Sequence, residues 1–138
     1  MQTQQTLTVN QSTTAIPAAS MLISGLANPE FDFESLDWRP YGADQRLGVE
    51  IVRLYDTRSI DPHGAAAALL RYAPGARVAR HLHTGYELIY VFRGELIDDA
   101  GIHPAGSLEV CPPGSTHALA SETGCIFLVV WEKPVSVI

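Results

Sequence analysis

From Trp38 onward, short runs of β-branched, aromatic and aliphatic residues alternate with Gly, Pro and Asp. Runs of this kind predict strands over Gly48–Leu54, Ala65–Tyr72, Val78–Leu82, Tyr86–Phe92, Glu95–Asp98, Ser107–Val110, His117–Ser121 and Ile126–Trp131. Turn signals separate them: Asp61-Pro62, Ala73-Pro74-Gly75, Asp98-Asp99-Ala100-Gly101, Pro104-Ala105-Gly106 and Pro112-Pro113-Gly114. Many short strands at this spacing indicate an all-β sandwich or barrel. No helical periodicity extends beyond about two turns. Phe31 to Trp38 is expected to form one turn of helix, and no internal repeat is evident.

The N-terminal stretch reads differently. Residues 1 to 29 carry no charged side chain, and the first fourteen are mostly Gln, Thr, Asn and Ser. Residues 1–30 are therefore expected to be a disordered leader, or an extended arm pairing with a neighbouring subunit, and residues 31–138 a single domain. The stretch has neither the positive start nor the apolar run of a secretory signal, so a cytoplasmic location is expected. The longest apolar run, Cys125 to Trp131, is far short of the roughly 20 residues of a membrane span. The chain has 138 residues and a net charge of −6. With no basic patch, neither nucleic acid nor an anionic membrane surface is an expected partner. Two cysteines, Cys111 and Cys125, are too few for a disulfide framework and are expected to be buried free thiols.

The candidate chemistry lies between Gly75 and Ser121. His81 and His83 are two apart, so on a strand they share a face. Glu87 keeps the same parity if the strand resumes after a turn at Thr84-Gly85. Two imidazoles and a carboxylate on one face make a metal-ligand set, and a neighbouring strand can bring His117 across to complete it. Such donors suit Fe(II), Mn, Ni, Co or Zn and disfavour Cu(I). His63 and His103 fall in turn or hairpin segments and are expected to be exposed.

The spacing Gly75, His81, His83, Glu87, Gly94 resembles the first motif of the cupins, and Gly106, Pro112, Gly114, His117 resembles the second. Ser121 stands where the second motif usually has Asn. The resemblance implies a single-domain jelly-roll β-barrel, a double-stranded β-helix, with one divalent metal per chain inside its mouth. The implied ligands are His81, His83, Glu87 and His117. The implied metal is Fe(II) or Zn first, then Mn or Ni. The longer run from His81 to Glu87 and on through His117 is similar to two cupin groups. One is the sensory cupin domain of zinc-binding anti-sigma factors; the other is the single-domain dioxygenases that cleave acetylacetone or hydroxyaryl ketones.

If the ligand face continues, Ile89 and Val91 on one strand and Leu119 and Ser121 on the other line an apolar pocket, or serve as ordinary core. Tyr86, Leu88, Tyr90 and Phe92 then face outward. A strand apolar on both faces must be covered on both, so a second subunit, and hence a homodimer, is expected. Arg77 and Arg80 flank the ligand strand and are expected to be solvated surface cations. The expected activity is a metal-dependent dioxygenase acting on a small enolisable dicarbonyl or phenolic ketone. The alternative is a non-enzymatic zinc-binding sensory module. The anti-sigma relatives carry further Cys and His ligands in an N-terminal helical domain, and residues 1 to 37 contain neither. Metal-free sugar epimerases of the same fold use a His-Asp pair and need no four-ligand set.

Overall fold

The computed structural model describes residue 17, residues 19–42 and residues 46–138. A turn of 3-10 helix, Phe33–Ser35, lies inside the segment expected to form one helical turn. Asp32 caps it, its side chain accepting from the Glu34 N–H. Nine strands follow among the described residues: β1 Arg39–Pro40, β2 Arg46–Asp56, β3 Ala66–Leu82, β4 Glu87–Asp98, β5 Gly101–Pro104, β6 Leu108–Cys111, β7 Thr116–Ser121, β8 Cys125–Trp131 and β9 Ser136–Val137.

β8 lies between β3 and β4 and pairs with both. β7 also bridges β3 and β4. The path β3–β8–β4–β7 returns to β3, so the sheet closes into the all-β barrel expected from the sequence. β1 and β2 extend it beyond β3. β5 and β6 extend it beyond β4.

Two expected strand breaks are corners instead. β3 continues through Ala73-Pro74-Gly75: residues 66–72 pair with β8, and the residues after the corner pair with β7. β4 likewise merges two expected strands and bends at Arg93-Gly94. Gly94 has φ +68°, and a Cβ there would meet the Gly124 carbonyl oxygen at 2.0 Å. Only glycine fits this crossing. β1, β5 and β9 were not expected; they are short, and β1 and β5 each contain proline.

Alternation along β8 shows how the core divides. Cys125, Phe127, Val129 and Trp131 point into the barrel and join Ile51, Leu70, Tyr72, Val78, Ile89, Val91, Leu96 and Leu119. Ile126 and Leu128 point outward, to a second cluster built on Phe33, Leu36, Val52 and Leu69. Met21, Leu26, Phe31, Trp38 and Phe92 pack on that cluster. The outer face of β4 is thus covered at Phe92 by the chain's own residues before β1, where a second subunit was expected. Farther along, Tyr86 and Leu88 are exposed, as are Leu108 and Val110 on β6. The arm or leader expected over residues 1–30 falls outside the described residues up to residue 16 and at residue 18. No helix among the described residues is long and apolar enough to cross a membrane.

Candidate metal centre

Strand pairing assembles the site. His81, near the end of β3, is the direct cross-strand partner of His117 on β7. Partners in an antiparallel ladder project to the same face, so both imidazoles point inward. His83 lies just past β3. Its N–H donates to the Ser115 carbonyl (2.9 Å), and its own carbonyl accepts from the Gly114 N–H (2.8 Å). Glu87 opens β4 opposite Trp131 on β8. All four side chains are buried, each residue no more than 4% exposed.

Their polar ends converge. His83 Nε2 is 2.9 Å from Glu87 Oε2 and 3.2 Å from His117 Nε2. His117 Nε2 is 3.3 Å from the same carboxylate oxygen. Donor atoms of all four residues lie within 4.8 Å of one another. An ion about 2.1 Å from each donor separates neighbouring donors by roughly 3.0 Å in octahedral and 3.4 Å in tetrahedral geometry. The three separations among His83, Glu87 and His117, 2.9 to 3.3 Å, are close to those values.

The far sides of the rings show which nitrogens are bare. His81 Nδ1 faces the Ala79 carbonyl at 3.1 Å, which can only accept. His117 Nδ1 faces the Asp98 carboxylate at 3.1 Å. His83 Nδ1 faces Ser115 Oγ at 2.9 Å, and that hydroxyl gives its own proton to the Pro112 carbonyl at 2.6 Å. These partners assign the proton to Nδ1 in every ring. Three bare Nε2 atoms and a carboxylate then face one another with no donor among them. Either added protons or a cation satisfies such a set, and the residues fit a divalent metal ion.

Electrostatics point the same way. Burial pushes the Glu87 carboxyl up, but the His117 and His83 rings outweigh it and hold it at about 2. Burial lowers His117, yet Glu87 and Asp98 raise it overall. Burial dominates at His81 and lowers it. Protons and a metal ion therefore compete for the same nitrogens.

A second polar layer supports His117. The Asp98 side chain, only 2% exposed, accepts from His117 and from His103 Nε2 at 2.7 Å. His103, expected to be exposed, is held on β5 by this contact. Glu109 Oε2 stands 3.5 Å from the same His103 nitrogen. Burial, then the hydrogen bond and charge of Asp98, push the Glu109 carboxyl up to about 7. Asp98 stays at about 2, because the bonds from Glu109 and His103 outweigh its own burial. Glu109 is thus the carboxyl of the two that favours its protonated form. Asp98, Glu109 and Ser115 were not singled out from the sequence. Asp98 carried only a turn signal, and its link to His117 depends on how β4 and β7 meet.

Beside His81 and Glu87 is a small cavity walled by Leu70, Tyr72, Val78, Ile89, Leu119, Phe127, Val129 and Trp131, with Arg46 at its edge. About 10 Å³ of it is open to the centre of a water molecule, room for roughly one water. Of the four expected pocket residues, Ile89 and Leu119 line it. Val91 is buried in the core, and Ser121 Oγ donates to the Glu95 carbonyl at 2.7 Å. His63 is exposed in its turn. Arg77 is exposed, and Arg80 pairs with Asp99 at 2.9 Å. Cys111 and Cys125 are buried free thiols, as expected. Burial pushes both thiols up, which disfavours the thiolate a metal would need.

Residues 29–135 match the family of ChrR cupin-like domains. No curated protein matches the sequence. Among solved structures, the chain is similar to Rhodobacter sphaeroides SigE in complex with the anti-sigma ChrR, with 28% identity and a TM-score of 0.60. That similarity covers 72% of this chain and 51% of the other, so the chain spans about half of that relative's length. It is also similar to an acetylacetone dioxygenase from Acinetobacter johnsonii, with 14% identity, a TM-score of 0.66 and coverage of 89% and 85%. A third similar structure is the polyketide cyclase RemF from Streptomyces resistomycificus, with 19% identity, a TM-score of 0.62 and coverage of 78% and 83%. At these identities the last two show the fold alone.

Proposed function

The chain belongs to the ChrR cupin-like domain family, and within that family we propose that it is a metal-dependent dioxygenase of a small enolisable dicarbonyl or phenolic ketone. In this reading His81, His83, Glu87 and His117 hold one divalent ion, iron or zinc ahead of manganese or nickel. Residues 31–138 are the working domain, residues 1–30 a leader or arm, and the setting is the cytoplasm. The observation that carries the reading is the convergence of three bare imidazole nitrogens and a carboxylate beside an apolar cavity. When bound, the ion supplies Lewis acidity toward an oxygen ligand.

The chain's own residues do the rest. The Ala79 carbonyl, Ser115 and Asp98 hold the three rings in one tautomer and orientation. Leu70, Ile89, Leu119, Phe127 and Val129 keep water from the ligand face of His81 and Glu87. The apolar lining beside the ligands supports a small, largely apolar substrate.

A zinc-binding sensory module is the second reading. It is favoured by the higher identity to ChrR and by a cavity with room for about one water. One sample decides between the two: protein purified without chelators or metal-affinity columns, with metal measured per chain and oxygen uptake followed with acetylacetone and a hydroxyaryl ketone. Near-stoichiometric iron, manganese or nickel with oxygen uptake supports the dioxygenase. Stoichiometric four-coordinate zinc with no uptake supports the sensor. No metal, and none taken up on reconstitution, overturns both.

The reading also includes a homodimer. The exposed Leu88 and Val110 are direct cross-strand partners, next to Leu108 and Tyr86. This stripe continues the outer apolar cluster past the point where residues before β1 stop covering it. A second copy of the chain covers it.

A further inference from the structure

His117 differs from the other two candidate imidazole ligands in what stands behind it. The far nitrogen of His81 meets a backbone carbonyl, and that of His83 meets a serine hydroxyl. Both partners are neutral. The far nitrogen of His117 meets the buried Asp98 carboxylate. A carboxylate on the far N–H fixes the ring and makes its bare nitrogen a stronger donor to a metal. It does so only while one of its oxygens stays aimed at the ring. What aims Asp98 therefore bears on the site.

Asp98 ends β4 at the tight hairpin into β5, where Gly101 is its cross-strand partner. His103 lies two residues farther along β5, opposite Leu96. Residues two apart on a strand share a face, so Leu96, Asp98 and His103 lie on one face of the hairpin, and Leu96 is fully buried there. His103 is the diagonal neighbour of Asp98, within reach of a long side chain. Asp98 is ionised, so the His103 ring must be the donor: its Nε2–H meets Asp98 Oδ1 at 2.7 Å. The Ala100 N–H donates to the same oxygen at 2.9 Å. Oδ2 is left to accept from His117 Nδ1 at 3.1 Å. A single bond to Oδ1 leaves a planar carboxylate free to swing about that oxygen. A second, from another direction, stops the swing and so decides where Oδ2 points. The Ala100 bond spans only the turn. The His103 bond reaches across from the next strand and is the shorter of the two. Glu109 adds a further hydrogen bond to Asp98 from β6.

We propose that His103 is a positioning residue of the candidate metal centre: acting through Asp98, it aims the His117 ring and sets how tightly His117 holds the ion. His103 touches neither the other ligands nor the inner cavity among the contacts described, so its influence runs through one carboxylate. Its side chain is 19% exposed, which lets it be replaced without opening the barrel. The inference rests on the metal reading above for its consequence at the ion. The hydrogen-bonded chain from His103 through Asp98 to His117 stands without it.

The test uses the full chain with isotope-labelled histidine and two readouts. The first is the imidazole Nδ1–H resonance of His117 in metal-free protein. In His103→Leu it is expected to move upfield and to exchange faster with water, as its bond to Asp98 loosens. His103→Gln, whose amide donates from nearly the same place, is expected to restore most of the wild-type signal. The second readout is zinc affinity, measured by competition with a chelator. His103→Leu is expected to bind zinc about tenfold more weakly. Added to Asp98→Asn, the same change is expected to cost nothing more, because the route through Asp98 is already broken. An unchanged His117 resonance in His103→Leu would overturn the proposal. So would equal losses in the Leu and Gln variants, which would show a packing role, or additive losses in the double variant, which would show a route that bypasses Asp98. Should His103→Leu not fold, His103→Phe keeps a ring without the donor and gives the same comparison. Failure of the metal reading appears separately, as a wild-type chain that does not take up zinc, and the His117 resonance then decides the positioning role alone.

Discussion

At the scale of single residues, the candidate centre is a set of acceptors waiting for a cation, with each ring's proton committed elsewhere. His83 touches both Glu87 and His117, so His83→Ala is expected to lower metal affinity at least tenfold. Metal titration by calorimetry checks it, and full occupancy in the variant at submicromolar metal would remove His83 from the ligand set. Glu109 gives a pH signature. Its carboxyl is held up at about 7, so the fold favours the protonated form. That stabilisation is complete below the ordinary carboxyl range and is lost as pH rises through about 7. Glu109→Gln stays neutral at every pH. Its Tm should therefore fall less than the wild type's between about pH 5 and pH 8, and parallel falls would count against a raised Glu109 carboxyl. The four ligands were legible because period-two spacing puts His81, His83 and Glu87 on one face. Asp98 and Ser115 were not, because their partners are chosen by strand pairing and by a turn, not by spacing along the chain.

At the scale of elements, the turn signals were physically sound but misread. Ala73-Pro74-Gly75 does bend the chain, yet β3 simply changes partner there, from β8 to β7. Gly48, at φ +74°, absorbs the mismatch on β2, where the register slips between Leu47 and Val49. A corner of this kind uses the same residues as a hairpin turn, so composition does not separate them. Gly94 makes the sharpest case. Gly94→Ala forces a left-handed backbone on alanine and drives its Cβ against the Gly124 carbonyl. A cost of about 2 kcal/mol or more is expected, seen as a Tm lower by about 5 °C or more. A Tm within 1 °C or so of wild type would mean that the two strands part easily at this crossing.

At the scale of the whole molecule, the barrel has two apolar faces and the chain covers the outer one only in part. Phe31, Phe33 and Trp38 lie over Val52 and Leu69, whereas Leu88, Leu108 and Val110 on β4 and β6 remain exposed. The sequence showed that the outer face needed cover. It did not show that part of the cover is local, because packing of residues before β1 against β8 is a contact between distant parts of the chain. Val110→Glu places a charge in the middle of the exposed stripe. Light scattering after gel filtration is expected to find a dimer for the wild type and a monomer for this variant, with metal content unchanged. A monomeric wild type would leave the stripe for some other partner.

The position of β8 has a consequence for biosynthesis. Cys125–Trp131 fits between β3 and β4, two strands made long before it. Until it arrives, both present an open edge of backbone donors and acceptors next to apolar side chains, which invites pairing with other chains. The barrel therefore closes only once residues 125–131 have been made. A chain released before residue 125 would not be a slightly weakened barrel but an open sheet prone to aggregation.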